Sequence, residues 1–357
     1  MGNQVNHNEL KEQIKISYET KTPLFIWGTT GIGKSSVVKE ISKEIAKSEG
    51  LEYSEEDVEN GKFGFIDIRI SQLEPSDLRG LPDIDRENQR TKWLIPNWLP
   101  KNPNSKGIIF FDELNLSPPS IQATAYQLIL DRKLGDYILP SGWVIISAGN
   151  RVEDRCNVFE MSSALCNRFT HTELMIPDKD IWFDWALKNE IDNRIIAFLQ
   201  FKPSALFVFD SKNKDKSFPT PRSWAFCSRL IKDRNDKNLL NILVGSAVGE
   251  ATANEFIAFI RLQSKINIKE LLKNPKLVSK ITEIDLKYVL LGTISEYYRK
   301  DKKLLEKCFE LCEHLEPEFA ILLLRFFKGI DKTHFSKTII KDKKGMKLLD
   351  KYSGVLN

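Results

Sequence analysis

Leu24-Phe25-Ile26-Trp27-Gly28-Thr29-Thr30-Gly31-Ile32-Gly33-Lys34-Ser35-Ser36 is the stretch on which the reading of this 357-residue chain turns. Its first four residues are apolar and read as a short buried strand. Past the glycines, Val37, Val38, Ile41 and Ile45 recur at helical spacing, so the stretch reads as strand, glycine loop, helix. Residues 28–35 match G-x-x-x-x-G-K-[ST] in the context that this pattern requires. Each residue type has a physical task. Gly28, Gly31 and Gly33 let the backbone N–H groups of Thr29, Thr30 and Ile32 curl around phosphates, and the helix start, with Ser36 in its first turn, adds a favourable dipole. Lys34 reaches the terminal phosphates and Ser35 offers a hydroxyl to Mg²⁺, so the expected ligand is ATP with Mg²⁺. A chance glycine-rich turn is the competing reading, and the flanking strand and helix count against it.

Outward from the loop, short apolar runs alternate with helical patterns. The expected strands are 24–27, 63–70, 107–111, 143–148 and 172–176, which together predict a P-loop NTPase α/β fold with a doubly wound, five-stranded parallel sheet. The run at 107–111 ends in Asp112-Glu113, placing two carboxylates at the strand's carboxyl end, where open sheets bind ligands. Asp112 is assigned to Mg²⁺ and Glu113 to polarising the attacking water. The run at 143–148 ends in Gly149-Asn150, so Asn150 reaches the same edge as a neutral polar group facing water or the terminal phosphate. Acids that merely end a strand, and an Asn that merely follows Gly in a turn, are the bland alternatives.

Residues 8–16 read as a short amphipathic helix ahead of the loop. After Pro177 strand patterns stop, and only helical segments follow, near 181–188, 191–201, 223–232, 239–264, 285–300, 302–315 and 318–327. The expected organisation is an α/β core over 1–177, with an insert at 79–100 and a hairpin at 131–142 turning at Gly135-Asp136, then a helical lid over 178–264 and a helical C-terminal extension over 265–357. Residues 212–216 read as a polar loop, and no repeat of fixed period is visible.

Composition sets bounds on function. With 41% hydrophobic and 29% charged residues, the chain reads as globular rather than disordered. Residues 265–357 hold 20 Lys and Arg against 13 Asp and Glu, a mild excess that leaves a nucleic-acid partner open, although the lysines alternate with acids as on a solvated helix face. Five cysteines, Cys156, Cys166, Cys227, Cys308 and Cys312, are odd in number and scattered, which argues for a reducing compartment; Cys308 and Cys312 read as core filling on one helix face. No leader pattern or membrane span is read, and the expected location is the cytoplasm. His171 reads as a packing residue, and no zinc or Ser-His-Asp spacing stands out.

The order of these motifs resembles the AAA+ ATPases, and more narrowly their MoxR-like and dynein-related branch. The resemblance covers roughly residues 20–230 and is carried by GTTGIGKS from Gly28, DLRGLPDI from Asp77, FFDELNLSPPSIQATAYQLILDRKLGDYILPSG from Phe110, ISAGNR from Ile146, ALCNRF from Ala164 and TPRSW from Thr220. Carried over by position, it makes Asn150 the first sensor, Arg168 the arginine finger and Arg222 the second sensor. Arg151 and Arg155 compete with Arg168 for the finger, and a surface ion pair is the alternative for each arginine. It likewise implies that 79–100 is a helix-two insert and 131–142 a presensor hairpin; there Trp93, Trp98 and Tyr137 either pack on the domain or touch a partner. The implied protein is a homo-oligomeric, hexameric chaperone-like remodeller of a protein client, working with a partner that carries a von Willebrand factor A domain. An ATP-dependent nucleic-acid motor or loader and a nucleotide-gated scaffold are the competing functions.

Overall fold

The computed structural model describes residues 3–58, 61–87, 89–154, 158–209 and 215–356. The chain divides into two compact units, Met1–Ile176 and Pro177–Asn357.

The first unit is built on a sheet of seven strands: β1 (Gln4–Val5), β2 (Leu24–Trp27), β3 (Tyr53–Ser54), β4 (Phe63–Arg69), β7 (Lys106–Asp112), β10 (Gly142–Gly149) and β11 (Thr170–Leu174). The numbers between belong to two hairpins, β5 (Leu81–Asp85) with β6 (Arg90–Leu94), and β8 (Lys133–Leu134) with β9 (Tyr137–Ile138). The strand order in the sheet is β1-β11-β2-β10-β7-β4-β3, with parallel pairing throughout. The five strands expected from the sequence are present. The two additional ones, β1 and β3, are two-residue edge strands, too short to leave a period in the sequence. Helices α1 (His7–Thr20), α2 (Lys34–Ser48), α3 (Pro75–Arg79), α4 (Pro119–Asp131) and α5 (Ser163–Cys166) complete this unit.

The central strands are apolar because both faces are covered, as parallel sheets require. Gly107 to Phe111 in β7 and Trp143 to Gly149 in β10 are all buried. Gly64, Gly107 and Trp143 lie in register across three neighbouring strands, and a Cβ on either glycine would sit within 2.4 to 2.6 Å of the indole. The two glycines make room for one fully buried Trp143, whose Nε1–H donates to Ser105 Oγ at 2.9 Å.

The second unit is helical: α6 (Lys179–Lys188), α7 (Asn193–Phe201), α8 (Pro221–Ile231), α9 (Lys237–Val248), α10 (Glu250–Arg261), α11 (Ile268–Lys273), α12 (Ile284–Lys300), α13 (Leu305–Glu313), α14 (Pro317–Ile330), α15 (Lys332–Lys341) and α16 (Lys343–Leu356). It has its own core, with Trp224 fully buried and donating from Nε1 to the Ala205 carbonyl at 2.8 Å. The single helical segment expected over 239–264 is broken at Gly249. Its φ of +85° takes the backbone out of the helical region, and a Cβ there would come within 2.8 Å of the Ser217 carbonyl oxygen, so the break needs glycine. Helices α11, α15 and α16 lie outside the segments expected from the sequence; α15 and α16 bury few large apolar residues, among them Phe335, Ile339 and Leu348. Cys308 and Cys312 are both buried in α13 as core filling, and burial pushes the Cys308 thiol up to about 12. Cys156 and most of the polar loop at 212–216 fall outside the described residues. Among the described residues, no helix is long and apolar enough to cross a membrane.

Candidate nucleotide site

Three adjacent strands, β2, β10 and β7, deliver the expected site residues to one edge of the sheet. The loop after β2 turns through Gly31 at φ +78° and Gly33 at φ +102°, values open to glycine, and α2 begins at Lys34. Thr29, Gly31 and Ile32 are buried while Thr30 and Ser36 are exposed, so the loop is pinned on one side and open on the other. Part of the pinning comes from a residue with no signal of its own in the sequence. His7, at the start of α1, donates from Nε2 to the Ile32 carbonyl at 2.8 Å.

Lys34 is buried, and its ammonium donates to the carbonyls of Gly28 (2.5 Å) and Thr29 (3.0 Å) and to the side-chain oxygen of Asn150 (2.9 Å). Ser35 donates from Oγ to Asp112 Oδ2 at 2.8 Å. The P-loop helix is thereby tied to the ends of both β7 and β10. Ser35 and Asp112 form a pair of hard oxygen donors, which suits Mg²⁺, an ion that fills much of its octahedron with water and phosphate oxygens. No group of three or more His, Cys, Asp or Glu gathers to hold a metal among the described residues.

Glu113 has φ +59°, a left-handed conformation that costs a non-glycine residue roughly 1–2 kcal/mol. Its carboxylate is held by Ser71, which donates from Oγ to Glu113 Oε2 at 2.7 Å. Ser71 lies in the short turn Ile70–Gln72 that follows β4. Nothing in the sequence singled it out. A second residue beyond the expected set, Asn115, is fully inside: its side-chain N–H donates to the Asn150 carbonyl at 2.8 Å and its Oδ1 accepts from the Asn150 amide at 3.2 Å. Its only sequence signal was its place in DELN.

The arginines separate by environment. Arg151 donates to both carboxylate oxygens of Asp154 and to Glu173 Oε1, and these hydrogen bonds, Asp154's first, hold its pKa above the ordinary value. Arg168, two residues after α5, is exposed and makes no ion pair among the described residues. Arg155 lies outside the described residues. Arg222, in the other unit, is exposed on the first turn of α8, where Thr220 and Ser223 form a reciprocal cap at 2.8 and 3.0 Å. His171 packs as expected: it accepts from Trp27 Nε1 at 3.0 Å and stacks on that ring. Trp93 lies under the Arg79 guanidinium and Tyr137 donates to the Pro100 carbonyl, so both aromatic residues have partners within the unit.

Residues 23–169 match the model of the AAA domain, dynein-related subfamily. Among solved structures, a Thermotoga maritima RuvB variant is 12% identical with a TM-score of 0.38, the alignment covering 76% of this chain and 74% of that one. NtrX from Brucella abortus in complex with ATP is 13% identical with a TM-score of 0.33, covering 91% and 67% respectively. No curated protein matches the chain significantly.

Proposed function

We propose that the AAA ATPase domain of the dynein-related subfamily at residues 23–169 drives an oligomeric, MoxR-like remodeller of a protein client. The chain binds and hydrolyses ATP; the proposal concerns how its residues divide that work and to what end. The observation that carries it is the pair of hydrogen bonds Ser35–Asp112 and Lys34–Asn150, which converge the helix start and two strand ends on one point.

In this reading the loop N–H groups and Lys34 bind the phosphates, exchanging the ammonium's carbonyl partners for phosphate oxygens. Ser35 and Asp112 would hold Mg²⁺, which supplies charge neutralisation on the phosphates. Glu113, oriented by Ser71, accepts the proton of the attacking water, and Asn150 fixes the terminal phosphate or that water. Arg168 is exposed and has no ion pair among the described residues, which supports a role toward the nucleotide of an adjacent copy, and the exposure of Arg222 supports a role as sensor on the helical unit. Ring assembly, most simply six copies, and a partner with a von Willebrand factor A domain follow from the resemblance.

A protein client is favoured over nucleic acid because lysines of the basic C-terminal region are matched to acids: Lys287 to Glu316, Lys302 to Asp331 and Lys344 to Glu310. The region keeps its excess of 20 Lys and Arg over 13 Asp and Glu, but these pairs interleave that charge with acids, which weakens its hold on a phosphate backbone. The test is Glu113→Gln, which should keep ATP affinity while turnover falls about 10²–10⁴-fold. Purification of that variant with ATP then reports ring size and retained partners. Normal turnover in Glu113→Gln would sink the assignment.

A further inference from the structure

Asn115 belongs to neither the phosphate loop nor the acidic pair, yet it is 2% exposed and spends its whole side-chain amide on one other residue. It donates to the Asn150 carbonyl at 2.8 Å and accepts from the Asn150 N–H at 3.2 Å, a reciprocal pair that fixes the backbone of Asn150 from both sides. The neighbouring Gly149 is shaped to this contact, since a Cβ there would lie 2.5 Å from Asn115 Oδ1. Asn115 sits two residues past Glu113, in the short turn Leu114–Leu116, and its own carbonyl accepts from the Phe159 N–H at 2.7 Å. One buried residue therefore holds three things in register: the turn that carries Glu113, the end of β10 that carries Asn150, and the segment that leads on to α5.

We propose that Asn115 is a positioning residue for ATP hydrolysis, locking the backbone of Asn150 so that its side chain meets Lys34 at a fixed distance from Glu113. The inference rests on the ATPase reading above and deepens it. A side chain that must stay placed to within a fraction of an ångström needs support from a neighbour whose own conformation is fixed, and an amide clamped on both backbone groups supplies that. Burial makes the clamp effective, because a broken amide pair would leave donors and acceptors without partners inside the protein.

The experiment compares wild type, Asn115→Ala, the isosteric Asn115→Asp, Asn150→Ala and the double variant Asn115→Ala/Asn150→Ala in multiple-turnover ATP hydrolysis, ADP binding and thermal melting. Asn115→Ala and Asn115→Asp should each lose turnover about 10–100-fold, the usual effect of removing an outer-shell partner. Asn115→Asp keeps volume and the acceptor but replaces the N–H donated to Asn150 with a carboxylate oxygen facing the Asn150 carbonyl, so its loss separates the hydrogen bond from packing. KM for ATP and ADP affinity should stay within about twofold, and the double variant should fall no further than about threefold below Asn150→Ala, because both changes act on one group. Wild-type turnover in a folded Asn115→Asp, a loss confined to KM, or multiplicative losses in the double variant would each overturn the proposal. A wild type without ATP turnover would instead bring down the ATPase reading together with it, which keeps the two failures distinguishable.

Discussion

The ammonium of Lys34 and the side-chain oxygen of Asn150 are 2.9 Å apart across 116 residues of sequence. That contact joins the first turn of α2 to the end of β10, so in the proposed reading a phosphate drawn to Lys34 arrives beside Asn150. Removing each partner separates binding from turnover. Lys34→Ala should abolish measurable ATP binding, whereas Asn150→Ala should keep it and lower kcat about 10–100-fold, as expected for a group that acts mainly in the transition state. Equal effects of both variants on ATP affinity would contradict this division.

Arg151 and Arg168 should part company in stability measurements. Arg151 pairs with Asp154, whose side chain is 3% exposed, so Arg151→Ala removes charge-assisted hydrogen bonds from a buried carboxylate and should cost about 1–3 kcal/mol in denaturant unfolding. Arg168 has no ion pair among the described residues, so Arg168→Ala should unfold within about 0.5 kcal/mol of wild type while ATP turnover falls about 10³-fold or more. Unimpaired turnover in Arg168→Ala would reassign the finger.

If Arg168 acts on a neighbour's nucleotide, two inactive variants should rescue each other. Mixed subunits of Glu113→Gln and Arg168→Ala create interfaces in which an intact Glu113 meets an intact Arg168, so turnover in the mixture should exceed that of either variant alone by several-fold. A mixture no more active than its components would place the arginine's action within one chain.

Lys21 gives a pH dependence. Burial, aided by Arg132 and Lys106 and opposed by Glu49, lowers its ammonium from 10.5 to about 8. The unfolded chain then binds the proton between pH 8 and 10.5 while the folded chain does not, and stability from this residue rises with pH through that window. Below about 8 both states are charged and the cost of burial is fully present. Wild type should therefore gain in Tm relative to Lys21→Met as pH is raised from 7 to about 10. A difference independent of pH would show that the ammonium titrates normally.

Much of this was legible in the chain because it is local. The G-x-x-x-x-G-K-[ST] spacing, the apolar runs of β7 and β10, and the carboxylates and amide that end them all lie within short windows where period and turn chemistry speak directly. The edge strands β1 and β3 escaped notice because two residues carry no period, and the break at Gly249 because the helical apolar pattern continues through it. Ser71 and Asn115 are ordinary polar residues in sequence, and they acquire roles through partners 42 and 35 residues away.

By itself, then, the sequence determined the class of fold and the chemistry expected of its phosphate loop, since both follow from short-range patterns of apolar and special residues. Tertiary structure alone decided which side chains support that chemistry. Folding the parallel sheet sets the ends of β2, β10 and β7 side by side, and only then do hydrogen bonds of about 3 Å, from Lys34 to Asn150, Ser71 to Glu113 and Asn115 to Asn150, become possible. Arg151 and Arg168 diverged for the same reason: proximity to Asp154 and Glu173 occupied one, and exposure left the other available.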